Sequence, residues 1–177
     1  MSDTTSTTRL DAARIAARSQ IVDVRALEIY AKLLRNHAQD RALEYRLDPK
    51  VTLRWEGDGA ATFAVSVIYD LQIRHVPPDS DASDEVSGSE AQDLDLVAKL
   101  NFEFAALFRL DMRSEDAPPT ERELTAYAET TGLFALHPFA RELAHDLSAR
   151  LGLPPLTLAV ALVPTEGPPV SQDAVGE

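Results

Sequence analysis

With 177 residues, 45% hydrophobic and 26% charged, the chain is large enough for one soluble domain with its own core. Its formal net charge of -12 opposes nucleic-acid phosphates and anionic membrane surfaces; where it does more than aid solubility, it favours basic or unfolded cationic segments. No cysteine is available for a disulfide, thiolate zinc site or nucleophile, no apolar run approaches ~18 residues, and MSDTTSTTRLD lacks a leader pattern, so a cytoplasmic protein without membrane insertion is expected.

Residues 1–8 are Ser/Thr-rich and expected to be disordered. Leu10 to Gln20 reads as a short amphipathic helix, with Ala13, Ala17 and Ile21 at helical spacing. Residues 21–35 are ambiguous: Leu27, Ile29, Ala31 and Leu33 alternate like a strand, Val24, Leu27, Ala31 and Leu34 fit a helix, and propensity alone favours helix. In 45–55, Tyr45, Leu47, Val51, Leu53 and Trp55 alternate with polar residues, as in a strand buried on one face. Gly57-Asp58-Gly59 supplies a turn, and in 62–73 Phe63, Val65, Val67, Tyr69, Leu71 and Ile73 form one face of a second strand. Residues 77–95 hold seven acids (Asp79, Asp81, Asp84, Glu85, Glu90, Asp93, Asp95) and no base. They read as a long solvated hairpin loop, since the acids lack the spacing of a calcium loop.

The next strand is unusually long, with apolar residues at every second position from Leu94 to Met112. Thr120-x-x-Glu123 is a capping box opening a helix that runs to Thr131, where Gly132 supplies a stop. Pro138 suits the first turn of a second helix running to about Leu151, with Gly152 beyond it. Phe139, Leu143, Leu147 and Leu151 form its apolar stripe, whose ordinary role is core. Pro154-Pro155 leads to a short extended segment, 156–163, and the acidic, Pro-rich tail 164–177 reads as disordered. The expected fold class is α+β: a meandering four-stranded antiparallel sheet, a short N-terminal helix and two C-terminal helices in a single domain over 9–163.

Nothing in this layout carries catalysis. The four histidines are His37, His75, His137 and His145, and Glu142-x-x-His145 is half of a di-iron helix motif without its second copy. There is no G-x-S-x-G, P-loop or G-x-G-x-x-G, so no enzyme, metal or cofactor is expected. One physical oddity points elsewhere. A strand from Leu94 to Met112 spans about 60 Å at ~3.3 Å per residue, against about 20 Å for a helix of ~14 residues. Apolar surface left over must be buried by another subunit, by a partner or by a break in the strand, which points to an oligomer or a polypeptide binder.

GLFALHPFARELAHDLSARLGLPPLTL, residues 132–158, resembles the SecB family of export chaperones in the order of its pieces. A Pro-aromatic-Ala-Arg-Glu helix (Pro138, Phe139, Ala140, Arg141, Glu142) precedes an Arg-Gly turn near Arg150 and a Pro-x-Leu-x-Leu strand carried by Pro155, Leu156 and Leu158. Asp48-Pro49-Lys50-Val51 is similar to the start of the family's second strand, and Phe102 to Phe108 to its fourth. EFAALF followed by PTERELTAYAETTG resembles more closely still the SecB-like chaperones of mycobacterial toxin–antitoxin–chaperone systems, which protect an aggregation-prone antitoxin through its C-terminal extension.

The resemblance implies an ATP-independent holdase, assembled as a homotetrameric dimer of dimers through paired first strands, and it settles 21–35 as a strand. It implies a client groove between helix and sheet, flanked by a crossover loop at about Arg35 to Leu47. The peptide-binding residues it marks are Leu43 and Tyr45 in that loop, Leu47 and Trp55 on the next strand, Phe139 and Leu143 on the second helix, and Leu153 and Leu156 beyond it. The acidic 77–95 run, the N-terminal helix and a tail without Lys or Arg depart from the proteobacterial exporters and argue against docking on the SecA motor. Competing expectations are a general export chaperone for preproteins, a scaffold binding one folded partner, and a sheet protein with a lipid pocket.

Overall fold

The computed structural model describes residues 2–38, 41–57, 59–76, 95–112 and 117–159. Helix α1 (Ser2–Ala16) is followed by strands β1 (Ser19–Leu33), β2 (Leu43–Trp55), β3 (Thr62–His75) and β4 (Leu96–Leu110). Then come α2 (Glu121–Tyr127), a π-helical turn (Ala128–Gly132) and α3 (Leu133–Arg150). The four strands form one antiparallel sheet in the order β1-β4-β3-β2. Only β2, β3 and β4 meander as the sequence leads one to expect. Strand β1 lies on the far side of β4, so the chain from β1 to β2 crosses the ends of β4 and β3.

Local signals and tertiary pairing disagree at several places, and pairing wins each time. Helix α1 takes in residues 2–8, because adding a turn to a formed helix costs far less than nucleating one. It stops at Ala16 rather than Gln20, because Ser19 and Gln20 pair with Leu110 and Arg109. The ambiguous 21–35 segment is a strand, held along its length by β4 against its helical propensity. Register shifts between Ile21 and Asp23 and between Ala26 and Glu28 leave Val22 and Leu27 as extra residues. After the second bulge, Ile29, Ala31 and Leu33 stand opposite Phe102, Leu100 and Ala98. Leu43 and Tyr45 belong to β2, not to the crossover loop, since they pair with His75 and Ile73.

The turn before β3 uses Gly57 (φ 102°) and Gly59 (φ 88°), a backbone that needs glycine. Residues 77–94 of the acidic run, the start of the long strand at Leu94, the end of the extended segment at 160–163 and the tail 164–177 lie outside the described residues.

The two expected C-terminal helices are one rod from Glu121 to Arg150. Thr120 caps it: its side chain accepts from the Glu123 N–H while the Glu123 carboxylate accepts from Thr120 N–H at 2.9 Å. Gly132 does not stop the helix; its backbone is helical, φ -63°, ψ -46°. Its role is close approach, because a Cβ there would meet Val65 Cγ1 at 3.0 Å. Pro138 accordingly lies inside α3 rather than at its start. At ~1.5 Å per residue the rod is about 45 Å long, and the 15-residue β4 about 50 Å at ~3.3 Å per residue. The helical layer therefore covers β4, whose inward residues Leu100, Phe102, Ala106 and Phe108 are fully buried. The leftover apolar surface foreseen on β4 is found on its neighbour β1 instead.

Candidate functional site

Helix α3 sets the site by how it sits on the sheet. Its buried face is Leu136, Ala140, Ala144 and Ser148, one residue per turn and mostly small. Small side chains let the helix come close to the sheet. Of the bulkier stripe Phe139, Leu143, Leu147 and Leu151, expected as core, the three leucines are half-buried and pack against the core, while Phe139 at its start is 40% exposed. Residues three apart on a helix lie about 60° apart round its axis, so one stripe on the sheet leaves the other beside it.

On the β1 flank the start of this stripe faces a groove of about 630 Å³, lined by Ala26 and Ile29 of β1, Phe104 of β4, and Phe139, Leu143 and Ala149 of α3. The rings of Phe104 and Phe139 stand 6.0 Å apart at 40°. Glu142, His145 and Asp146 line the same groove with polar groups, and Asp146 holds Arg150 at 2.9 Å. Apolar surface continues along β1, where Ile21, Val22, Leu27, Ile29 and Tyr30 are all exposed; Ile29, opposite Phe102, is on the groove face, and Tyr30, opposite Asn101, is on the other face of the sheet. Among the described residues no strand pairs with the outer edge of β1. Exposed apolar surface beside a free strand edge suits both an extended polypeptide and a second subunit.

On the β2 flank the chain covers itself. Beyond Gly152 (φ 76°), segment 153–159 runs back between α3 and β2. Leu153 and Leu158 are buried, and Leu156 packs against the core. Leu156 N–H donates to Ser148 Oγ at 2.8 Å and Ala159 N–H to the Tyr45 hydroxyl at 2.7 Å. His137 Nε2 lies 2.7 Å from the Ala159 carbonyl oxygen, to which it donates. Tyr45, Leu47 and Trp55, with Leu43, are half-buried on the inner face of β2.

The residues marked from the sequence thus fall into two groups on opposite sides of α3. Phe139 and Leu143 line the open groove. Leu43, Tyr45, Leu47, Trp55, Leu153 and Leu156 belong to the β2 side, which segment 153–159 occupies. The sequence reading missed Ala26, Ile29 and Phe104 in the open groove, and His137 and Ser148 as holders of the C-terminal segment. The apolar alternation of 27–33 was the available signal for Ile29, hidden by the bulge at Leu27.

Three titratable groups are perturbed, all within the packed frame: Tyr69, Glu123 and Tyr127, the last with its hydroxyl pushed up by burial. Burial pushes the Tyr69 hydroxyl well above the ordinary tyrosine range, under the fully buried Tyr69 ring stacked on Phe102. Burial also pushes the Glu123 carboxyl up, but hydrogen bonds from the Thr120 main chain and hydroxyl, with the charges of Arg14 and Arg18, outweigh it and leave the group below its usual value. Among the described residues no three His, Cys, Asp or Glu side chains come together as a metal site, and no helix is long and apolar enough to cross a membrane.

No family model matches the chain. Two relatives do: the SecB-like chaperone MT2006 of Mycobacterium tuberculosis strain CDC 1551 / Oshkosh and the SecB-like chaperone Rv1957 of strain ATCC 25618 / H37Rv. Each is 39% identical over 176 residues, spanning 97% of this chain and 96% of its own length. Among solved structures, the chain is similar to the Mycobacterium tuberculosis Rv1957 SecB-like chaperone in complex with a ChAD peptide from the Rv1956 HigA1 antitoxin. That match has a TM-score of 0.72 and 37% identity, and covers 88% of this chain and 99% of the other.

Proposed function

This chain belongs to the SecB-like chaperone family, and from that premise we propose that it is an ATP-independent holdase that keeps an aggregation-prone antitoxin of a toxin–antitoxin system from collapsing. The observation that carries the reading is the open groove between α3 and β1, with Phe139 and Ile29 exposed, Leu143 half-buried and the nearly covered Phe104 at its base. Each apolar side chain that a client buries there contributes about 1.5–3 kcal/mol before the cost of ordering the client. A few such contacts give micromolar binding with little demand on sequence. The solved relative with an antitoxin peptide bound supports the choice of client.

The working form is a homotetramer in the cytoplasm. Pairing of β1 with β1 of a second copy satisfies the free edge and covers Val22, Leu27 and Tyr30, and two such dimers associate through their helical layers. The protein performs no reaction on its client; shelter is the whole activity.

The client assignment is tested with an antitoxin from the same genome, purified with and without its C-terminal extension. The full antitoxin should bind and stay soluble with the chaperone, and the truncated form should do neither. Equal binding of both forms would place recognition outside the extension.

A further inference from the structure

Segment 153–159 has the shape of a bound client. It is extended, with Leu156 and Leu158 two residues apart facing inward, and Thr157 and Ala159 facing out. Leu158 is only 1% exposed. Beyond the turn bond from Leu153 N–H to the Ser148 carbonyl, it is held by side chains of the frame gripping its main chain: Ser148 Oγ on Leu156 N–H, the Tyr45 hydroxyl on Ala159 N–H, and His137 on the Ala159 carbonyl. Among the described residues, none of its main-chain groups joins the sheet ladder. Contacts of this kind read a backbone shape and not a sequence, so a different extended chain can make them equally well.

We infer that 153–159 is a resident stand-in for client, and that a client segment displaces it from the channel between α3 and β2, a step that rests on the holdase reading above. The channel takes a neutral extended segment with Leu, Ile, Val or Phe at alternate positions. A client leucine replaces Leu158 in kind, so the exchange is nearly balanced and reversible, whereas a charged or glycine-rich segment gains nothing there. The occupied channel lowers apparent client affinity by the fraction of time it is filled. The four marked residues of β2, Leu43, Tyr45, Leu47 and Trp55, then belong to a second subsite, open only while the segment and its own Leu153 and Leu156 are out.

The test uses the full-length protein and reduced, carboxymethylated α-lactalbumin, a permanently unfolded chain, as probe. Amide hydrogen exchange is followed at Leu156 and Ala159, and client binding by anisotropy of a dye on the probe in the same sample. Saturation should raise exchange at these two amides at least ~10-fold while Val67 and Phe102 stay protected. Bound probe with Leu156 and Ala159 still protected would overturn displacement and leave the holdase reading standing; failure of the probe to bind would overturn both. Leu158→Ala, which weakens the resident segment and leaves the frame's Ser148 and Tyr45 groups intact for the probe, should speed exchange at Leu156 and Ala159 and tighten probe binding by about 5-fold. Faster exchange with unchanged or weaker affinity in that variant would contradict competition.

Discussion

The ring of Phe139 stands 6.0 Å from that of Phe104, joining the flank of α3 to the sheet. Phe104 is nearly covered at 8% exposure, while Phe139 is 40% exposed beside it. A side chain seated on this pair touches a rigid base on the central strand and a free wall on the helix. The pair is therefore the natural anchor of the groove.

Phe139→Asp tests that anchor. Full burial of a phenylalanine is worth about 1.5–3 kcal/mol, and a large share of it is still unrealised on this side chain. The variant should bind an unfolded client at least ~10-fold more weakly in an anisotropy titration. Its melting temperature should stay within a few degrees of the parent, because the lost side chain is not core. Collapse of the fold would return Phe139 to the core, and unchanged affinity would move the anchor elsewhere.

The free edge of β1 makes a separate prediction about assembly. Leu27 is 55% and Tyr30 47% exposed on a strand with no outer neighbour among the described residues. Replacing both by Lys puts charge on the edge, a device that blocks strand pairing. Light scattering should find the parent as four chains of 19.4 kDa and the double variant as no more than two, joined through the helical layers alone. A parent that runs as a monomer at micromolar concentration would remove the dimer-of-dimers proposal.

Much of the sheet was legible because its strands alternate strictly: Phe63, Val65, Val67, Tyr69, Leu71 and Ile73 all reach the core. Strand β1 was legible only through the family resemblance, because two bulges break its alternation and its residues are good helix formers. The capping box at Thr120 was legible because it is local, and the role of Gly132 was not, because Val65 lies far away in sequence. The site was half visible. Periodicity found the stripe Phe139, Leu143, Leu147 and Leu151. It could not say that the neighbouring small-residue stripe would take the centre of the contact and leave Phe139, at the start of this one, exposed at the groove.

Gly132→Ala separates the packing role from a helix stop. Alanine favours a helix over glycine by about 1 kcal/mol, so a merely permissive site would be stabilised. Here the new methyl meets both Val65 methyls, at 3.0 and 3.3 Å, and Val65 is fully buried on an inner strand. Overpacking of that kind costs about 1–3 kcal/mol. A net fall of ~1 kcal/mol in urea unfolding is expected; a gain would show that Val65 yields.

The capping box has a pH signature. The folded-state value of Glu123 lies below its ordinary value of 4.5, so its contribution is fully present above that value and lost as pH falls through the folded one. Glu123→Ala should cost about 1 kcal/mol at pH 7, mostly from the cap, since Arg14 is 71% exposed and its ion pair is screened. The difference between the two proteins should shrink in unfolding curves taken progressively below pH 4.5. A gap independent of pH would mean that Glu123 acts through packing alone.

Shelter of an unfolded chain is measured most directly by light scattering of a client diluted from denaturant, with the chaperone present and ATP absent. Near one tetramer per client, scattering should fall to the buffer baseline, ATP should change nothing, and Phe139→Asp should restore most of the signal. Full aggregation of the client at a several-fold excess of the parent protein would contradict the holdase account.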